Sequence, residues 1–259
     1  MNTTVKTALR RFLPRAIRRH RILGGPLRGQ TIVTSWHDYP AAILGRTERP
    51  LLAWFAEHAR RGETWLDVGA HFGYTALALA RMVGREGRVF AFEPMVATAG
   101  CLSRSRQING LAQLAIVPLG LAQPDSLALR SLPITRGMAD STLPEASWSE
   151  PIPLARLDWL WPRICDSNPA IHGIKIDVQG MEGEAIAGMQ RLLRTFRPKL
   201  VVEFHRGVDR HAILGSLADV GYRTPGRPIE PASGETEPRY LDDRSYAFSV
   251  PGTHAHELN

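Results

Sequence analysis

Asp67, Gly69 and Gly73 in TWLDVGAHFGYTAL (64–77) and Glu93 in GRVFAFEP (87–94) have the types and order of a site that holds a nucleoside. Glycine at the end of an apolar strand can take a positive φ and lets a ligand reach the backbone. Gly73 opens the following helix, where a side chain would hold helix and strand apart. Asp67 stands two residues before Gly69, on the same strand face. Glu93 follows Gly69 by 24 residues, the distance at which an acid ending the next strand accepts hydrogen bonds from a ribose diol. A dinucleotide turn carries a middle glycine that makes room for the pyrophosphate, whereas Ala70-His71-Phe72 separate the two glycines here. The site suits a ribose without phosphates. S-adenosylmethionine meets that description and NAD does not.

A second set lies further along. Asp177 ends the apolar run of GIKIDVQG (173–180), and in KLVVEFH (199–205) the two-residue repeat of a strand puts Glu203 and His205 on one face. Neighbouring strand ends of one sheet share a cleft, so Asp177, Glu203 and His205 converge where a methyl acceptor would sit. A hydroxyl is a poor nucleophile at neutral pH. His205 can take its proton, because imidazole ordinarily titrates near neutrality. The three can instead hold a divalent ion that acidifies the hydroxyl, magnesium or manganese rather than zinc. The reading adopted here assigns them to catalysis without a metal. The competing structural reading pairs Glu203 and His205 with arginines such as Arg206.

The elements that must position these residues alternate along the chain. Short buried strands are expected at 65–69, 87–94, 114–119, 173–180 and 199–205, and helices at 50–60, 75–84, 95–110, 182–196 and 209–221. This alternation gives a doubly wound, mostly parallel α/β sheet, with ligands beyond its C-terminal strand ends. Further strands are expected at 30–34, 128–133, 151–157 and 244–250, and Asp158 as the cap of a short helix, DWLWPRI. Residues 222–243 are rich in Pro, Gly and charge and read as a loop. Acceptor specificity is expected in the least regular stretches, 133–150 and 222–243. Trp148 and Trp161 are candidates for stacking on a sugar, with packing as the competing reading.

The chain has 259 residues, 44% hydrophobic and 22% charged, which suits one globular domain (26–259) behind a basic arm (1–25). Residues 1–30 hold Lys6, Arg10, Arg11, Arg15, Arg18, Arg19, Arg21 and Arg28 and no acid, while the whole chain has a formal net charge of +7, so the body is near neutral. Val5, Leu9, Phe12, Leu13 and Ile17 lie close to helical spacing among these arginines, interrupted by Pro14. The arm reads as a helix packed on the body, or as a weak membrane-surface contact through residues 1–21. A near-neutral body without an aromatic-interleaved basic surface argues against a nucleic-acid partner. Cys101 and Cys165 are too few for a disulfide framework or a zinc set. No apolar run approaches the ~18 residues of a membrane span, and a clear export signal is missing, so a cytoplasmic location is expected.

Taken together, these segments resemble the FkbM-type S-adenosylmethionine-dependent methyltransferases. LDVGAHFGYTAL is similar to the family's cofactor turn, usually DVGANxG, and VFAFEP to its ribose-binding strand. IKIDVQGMEGEAIAGM resembles the KIDVEGxE segment and RPKLVVEFH the strand that follows it. LGRTERP (44–50) resembles the G-x-x-E entry element, which points to Glu48, and PLARLDWL the segment leading to Asp158. The likeness spans about residues 26–206. It implies a class I methyltransferase fold, Rossmann-like, with a seven-stranded sheet whose last strand, RSYAFSV, is antiparallel. It implies that Glu48, Asp67, Gly69, Ala70, His71, Gly73, Tyr74, Glu93 and Pro94 hold the cofactor. It also implies O-methylation of a small-molecule, sugar or polysaccharide hydroxyl. Two positions depart from the pattern: His71 stands where asparagine is common and Gln179 where glutamate is common. The alternative reading is a degenerate domain that keeps the cofactor, has lost the chemistry and docks on a membrane or other anionic partner through its basic arm.

Overall fold

The chain enters through Arg18–Arg21 (β1) and Thr31–Thr34 (β2), which pair antiparallel from Arg18↔Thr34 to Arg21↔Thr31. The computed structural model describes residues 12–135, 137–142, 148–165 and 168–251. Val5 and Leu9 of the expected amphipathic arm lie outside them. Within them the helical reading of the arm gives way to a strand. Pro14 disfavours a helix running through it, and alternation puts His20 and Ile22 inward, with Ile22 fully buried, while Arg19 and Arg21 face out. Two helices follow, Pro40–Leu44 (α1), which the sequence did not announce, and Arg49–His58 (α2).

Thr64–Val68 (β3), Arg88–Phe92 (β4) and Leu114–Val117 (β5) then alternate with helices Tyr74–Val83 (α3) and Val96–Ile108 (α4). An insertion comes next: Gly120–Leu121 (β6), Ala128–Thr135 (β7), Met138–Ala139 (β8) and Ser149–Ala155 (β9) form a separate four-stranded sheet in the order β6-β9-β7-β8. Leu157–Ile164 (α5), Gly173–Ile176 (β10), Glu182–Ala187 (α6), Gln190–Phe196 (α7), Lys199–Phe204 (β11), Arg210–Asp219 (α8), Arg227–Pro228 (β12) and Arg244–Phe248 (β13) complete the chain.

The main sheet has seven strands in the order β12-β13-β11-β10-β3-β4-β5. β5, β4, β3, β10 and β11 run parallel, and β13 runs antiparallel to β11, as expected for RSYAFSV. This is the Rossmann-like, doubly wound architecture of class I methyltransferases. Strand alternation divides the core between the two sheet faces. Leu66, Phe92, Ile174 and Val202 pack into one cluster with α5 to α8, and Trp65, Val89, Ala91 and Val201 into another with α2 to α4. The chain progresses one way from β3 to β4 and β5, and the other way to β10 and β11. The switch point therefore lies between β3 and β10, where open α/β sheets bind ligands.

The helix expected over 182–196 is two helices broken at Gly188–Met189. Asp158 causes the break. Its N–H donates to Gly188 O (3.0 Å), and its carboxylate accepts from the N–H groups of Arg191 (2.9 Å) and Leu192 (3.0 Å). Asp158 thus caps α7, across space, and not the DWLWPRI helix of which it is part.

Candidate active site

A cavity of about 300 Å³ opens at the C-terminal ends of β3, β4, β10 and β11 and is roofed by the insertion sheet. Its first half comes from the turn after β3. Gly69 has φ +79°, and a Cβ there would stand 1.7 Å from Asp177 O, so the glycine is demanded by the neighbouring strand end as well as by a ligand. Gly73 has φ +89° and opens α3. A Cβ there would meet Leu102 Cδ1 of α4 at 2.0 Å, so the contact it permits is helix against helix and not helix against strand. Glu93 is buried at the end of β4. Its carboxylate accepts the N–H of His71 (2.7 Å) and of Met95 (2.9 Å). Burial pushes its pKa up to about 7 against the pull of those two N–H groups. A carboxylate oxygen has two lone pairs, so both oxygens can still receive a ribose diol from the cavity that Glu93 lines. His71 takes the turn with φ +50° and sets its ring 5.1 Å from that of Tyr39.

The second half is a buried charge network. Lys175, 3% exposed, sits opposite Asp67 in the β3–β10 register. Its Nζ lies 3.2 Å from Asp67 Oδ1 and 3.1 Å from Asp177 Oδ2, and donates to Gly69 O at 3.1 Å. Burial alone would push this ammonium's pKa down, but Asp177, Asp67, Glu48 and Glu203 outweigh it and hold the pKa above its ordinary value. Burial raises the Asp177 carboxyl, yet Lys175 and His205 outweigh it and keep Asp177 ionised. Glu203 is pushed up to about 8 by burial and by repulsion from Asp177 and Glu48, and accepts from Ser245 Oγ (3.0 Å). His205 is buried. Its Nδ1 lies 2.5 Å from Glu182 Oε1, and its Nε2 lies 2.8 Å from Gln179 Nε2, 3.4 Å from Asp177 Oδ1 and 3.7 Å from Glu203 Oε1. Burial works to lower its pKa, but the Glu182 bond and the charges of Asp177 and Glu203 prevail and raise it to about 9. The imidazole therefore does not titrate near neutrality, as its type suggested.

Of the residues singled out from the sequence, Glu48, Gly69, Ala70, His71, Glu93, Pro94, Asp177 and Glu203 line the cavity. Asp67, Gly73, Tyr74 and His205 stand behind its wall. Asp67 faces Lys175 and accepts from Thr75 Oγ1 (2.6 Å), and His205 backs Gln179, Asp177 and Glu203. Glu48 borders the charged half, with burial and Asp177 raising its pKa. Asp177, Glu203 and His205 offer ligand atoms within 4.8 Å of one another, a spacing that can hold a divalent ion. Lys175 already supplies a cation against Asp177 there. Sequence reasoning missed Lys175 and Glu182. A lone lysine in an otherwise apolar strand, two residues before Asp177, was the available signal. It also missed Met181 and the apolar roof of Leu132, Met138, Ile152 and Leu154. Of the stretches expected to set specificity, 133–142 contributes Met138 and Ala139 to the lining, residues 136 and 143–147 lie outside the described residues, and no described residue of 222–243 lines the cavity. Trp161 is fully buried against Phe90 and belongs to the core, while Trp148 is exposed.

The family described as the methyltransferase FkbM domain matches residues 67–224, more than half of the chain. A search of curated proteins finds no match. Among solved structures, the methyltransferase FkbM of Methylobacillus flagellatus is similar at 19% identity and a TM-score of 0.50, over 81% of this chain and 53% of that one. Aeropyrum pernix fibrillarin, solved with S-adenosyl-L-methionine bound, is similar at 14% identity and a TM-score of 0.50, over 91% of this chain and 89% of that one. A putative rRNA methylase from Clostridium thermocellum gives 11% identity and a TM-score of 0.50, over 77% and 93%. At these identities the structures speak for the fold, and the family match speaks for the chemistry. The Gly69 turn, the buried Glu93 and the charged ends of β10 and β11 all fall within the matched residues, and the chain belongs to the FkbM family of S-adenosylmethionine-dependent methyltransferases.

Proposed function

We propose that this chain methylates a hydroxyl of a small-molecule or carbohydrate acceptor. The observation that carries the reading is the pair Asp177 and Glu203 on the cavity wall, backed by Lys175 and His205. S-adenosylmethionine supplies a methyl group already activated by its positive sulfur. The protein's part is then to align the acceptor oxygen and to receive its proton. Glu203 lines the cavity with a pKa raised to about 8, so above that pH it is a stronger base than an ordinary carboxylate and sits where the hydroxyl can donate to it. Asp177, held ionised by Lys175, orients the hydroxyl. His205 sits behind both as an imidazolium, fixed by Glu182, and acts as a positioning residue rather than as the base first read from the sequence. The apolar roof of Leu132, Met138, Ile152 and Leu154 suits the face of a sugar or polyketide ring.

The test is transfer of labelled methyl from S-adenosylmethionine to a panel of sugar and polyketide alcohols, set beside matched amines. Label in an ether linkage, lost in Glu203→Gln with cofactor binding retained, supports the reading. Label confined to amines, or an undiminished Glu203→Gln rate, overturns it.

A further inference from the structure

Beside the cavity the hairpin of β1 and β2 presents a surface that the methyl transfer does not use. Strand alternation sends Arg19 and Arg21 of β1 outward, Ile17 and Leu23 flank the strand at the same two-residue spacing, and all four are exposed. The row reads apolar, basic, basic, apolar. Around it lie exposed Phe12, Arg15, Arg18 and Arg28. No acidic residue precedes Asp38 in the chain, so the segment that carries the patch is itself purely basic. Charged residues on an edge strand are a common guard against strand pairing, which accounts for the arginines. It does not account for Phe12 at 88%, Ile17 at 49% and Leu23 at 57% exposure among them.

We infer that the exposed row Ile17-Arg19-Arg21-Leu23, with Phe12 and Arg15, docks the protein on an anionic lipid bilayer. Arginines attract anionic headgroups within a Debye length, and apolar side chains between them enter the headgroup boundary. A nucleic-acid surface would use the arginines but leave the aliphatic Ile17 and Leu23 without a partner. The docking face adjoins the cavity. Pro14 O accepts the N–H of His37 (3.0 Å), and the next two residues, Asp38 and Tyr39, line the cavity. Docking therefore brings the active site to a surface where amphiphilic acceptors concentrate. The inference rests on the hairpin and stands whether or not the acceptor group is a hydroxyl.

The experiment is co-sedimentation of the full chain with phosphatidylcholine vesicles, with and without phosphatidylglycerol, at low and high salt, in competition with polyuridylate. Binding is expected only to the anionic vesicles and to weaken with salt. Arg19→Glu with Arg21→Glu lowers it by roughly thirtyfold or more, since each basic residue near the surface contributes about fivefold. Ile17→Ser with Leu23→Ser lowers the salt-resistant part. Cofactor binding by each variant shows that it is folded. No association of the folded wild-type chain with anionic vesicles overturns the inference, as does full binding by the arginine variant. Displacement by polyuridylate at matched charge, with no effect of the serine variant, also overturns it and assigns the face to nucleic acid.

Discussion

The two ends of the cavity are built on different principles. The end at β3 and β4 uses backbone: a glycine turn, and one carboxylate, Glu93, whose partners in the protein are the N–H groups of His71 and Met95. The end at β10 and β11 uses side chains: Lys175, Asp177, Glu182, Glu203 and His205 lie within ion-pair reach of one another in a chain of contacts. They join at Gly69, which has no room for a side chain against Asp177 O and whose own carbonyl receives Lys175. A backbone-built site depends on spacing along the chain. A charge-built site depends on partners from several strands, each of which sets the protonation of the others.

Breaking the charged end should therefore have the larger effect. Lys175→Met leaves the fully buried Asp67 without its cation and the half-buried Asp177 with His205 alone, and removing one partner of a buried ion pair costs roughly 3–5 kcal/mol. Urea denaturation checks it, and a midpoint equal to that of wild type would mean the network is not a unit. Glu203→Gln keeps the shape and removes the proposed base. Turnover is expected to fall roughly a hundredfold or more, the ordinary worth of a positioned acid or base, with cofactor affinity unchanged by calorimetry. Glu93→Ala attacks the other end. Loss of charge-assisted hydrogen bonds costs roughly 1.5–3 kcal/mol, or about 10- to 150-fold in S-adenosylmethionine affinity. Unchanged affinity would remove Glu93 from the ribose.

The difference between the two ends also decided what could be read from the sequence. Gly69, Gly73 and Glu93 announced themselves because a turn and the next strand end are local, and the strands because their apolar runs are short and bounded. Glu203 and His205 were visible as a strand pair, but the imidazole's raised pKa was not, because Glu182 enters from a different element. The split of 182–196 was hidden for the same reason: its cause, Asp158, stands more than twenty residues earlier. The β1 strand was hidden because RRHR has no apolar residue to show a period, and only its pairing with β2 makes it a strand. The roof of the cavity was visible only as two extra strands, since no periodicity says over what a sheet will fold.

The departure at Gln179 offers the finest test of the charged end. Its side chain has φ +48° backbone beneath it and touches His205 Nε2 directly. With an amide there, the imidazolium is stabilised by Glu182 at Nδ1 and by Asp177 and Glu203 at Nε2, and the group nearest to Nε2 carries no charge. In wild type, activity should rise as Glu203 loses its proton through about 8 and fall as His205 loses its own through about 9, the two values belonging to the coupled group. The stability contribution has one sign for both groups. Each binds its proton more tightly folded than unfolded, so the contribution is full below the ordinary value, 4.5 for Glu203 and 6.5 for His205, declines as pH rises from there, and is gone once pH has passed about 8 and about 9. Gln179→Glu places a further carboxylate against His205 and near Glu203. It raises both values, so the whole profile should move to higher pH by about one unit, with little change in the rate at its maximum. A profile that stays in place would show that Gln179 is separated from the titrating group by solvent. A profile that moves to lower pH would mean that residue 179 reports on a different proton from the one Glu203 receives.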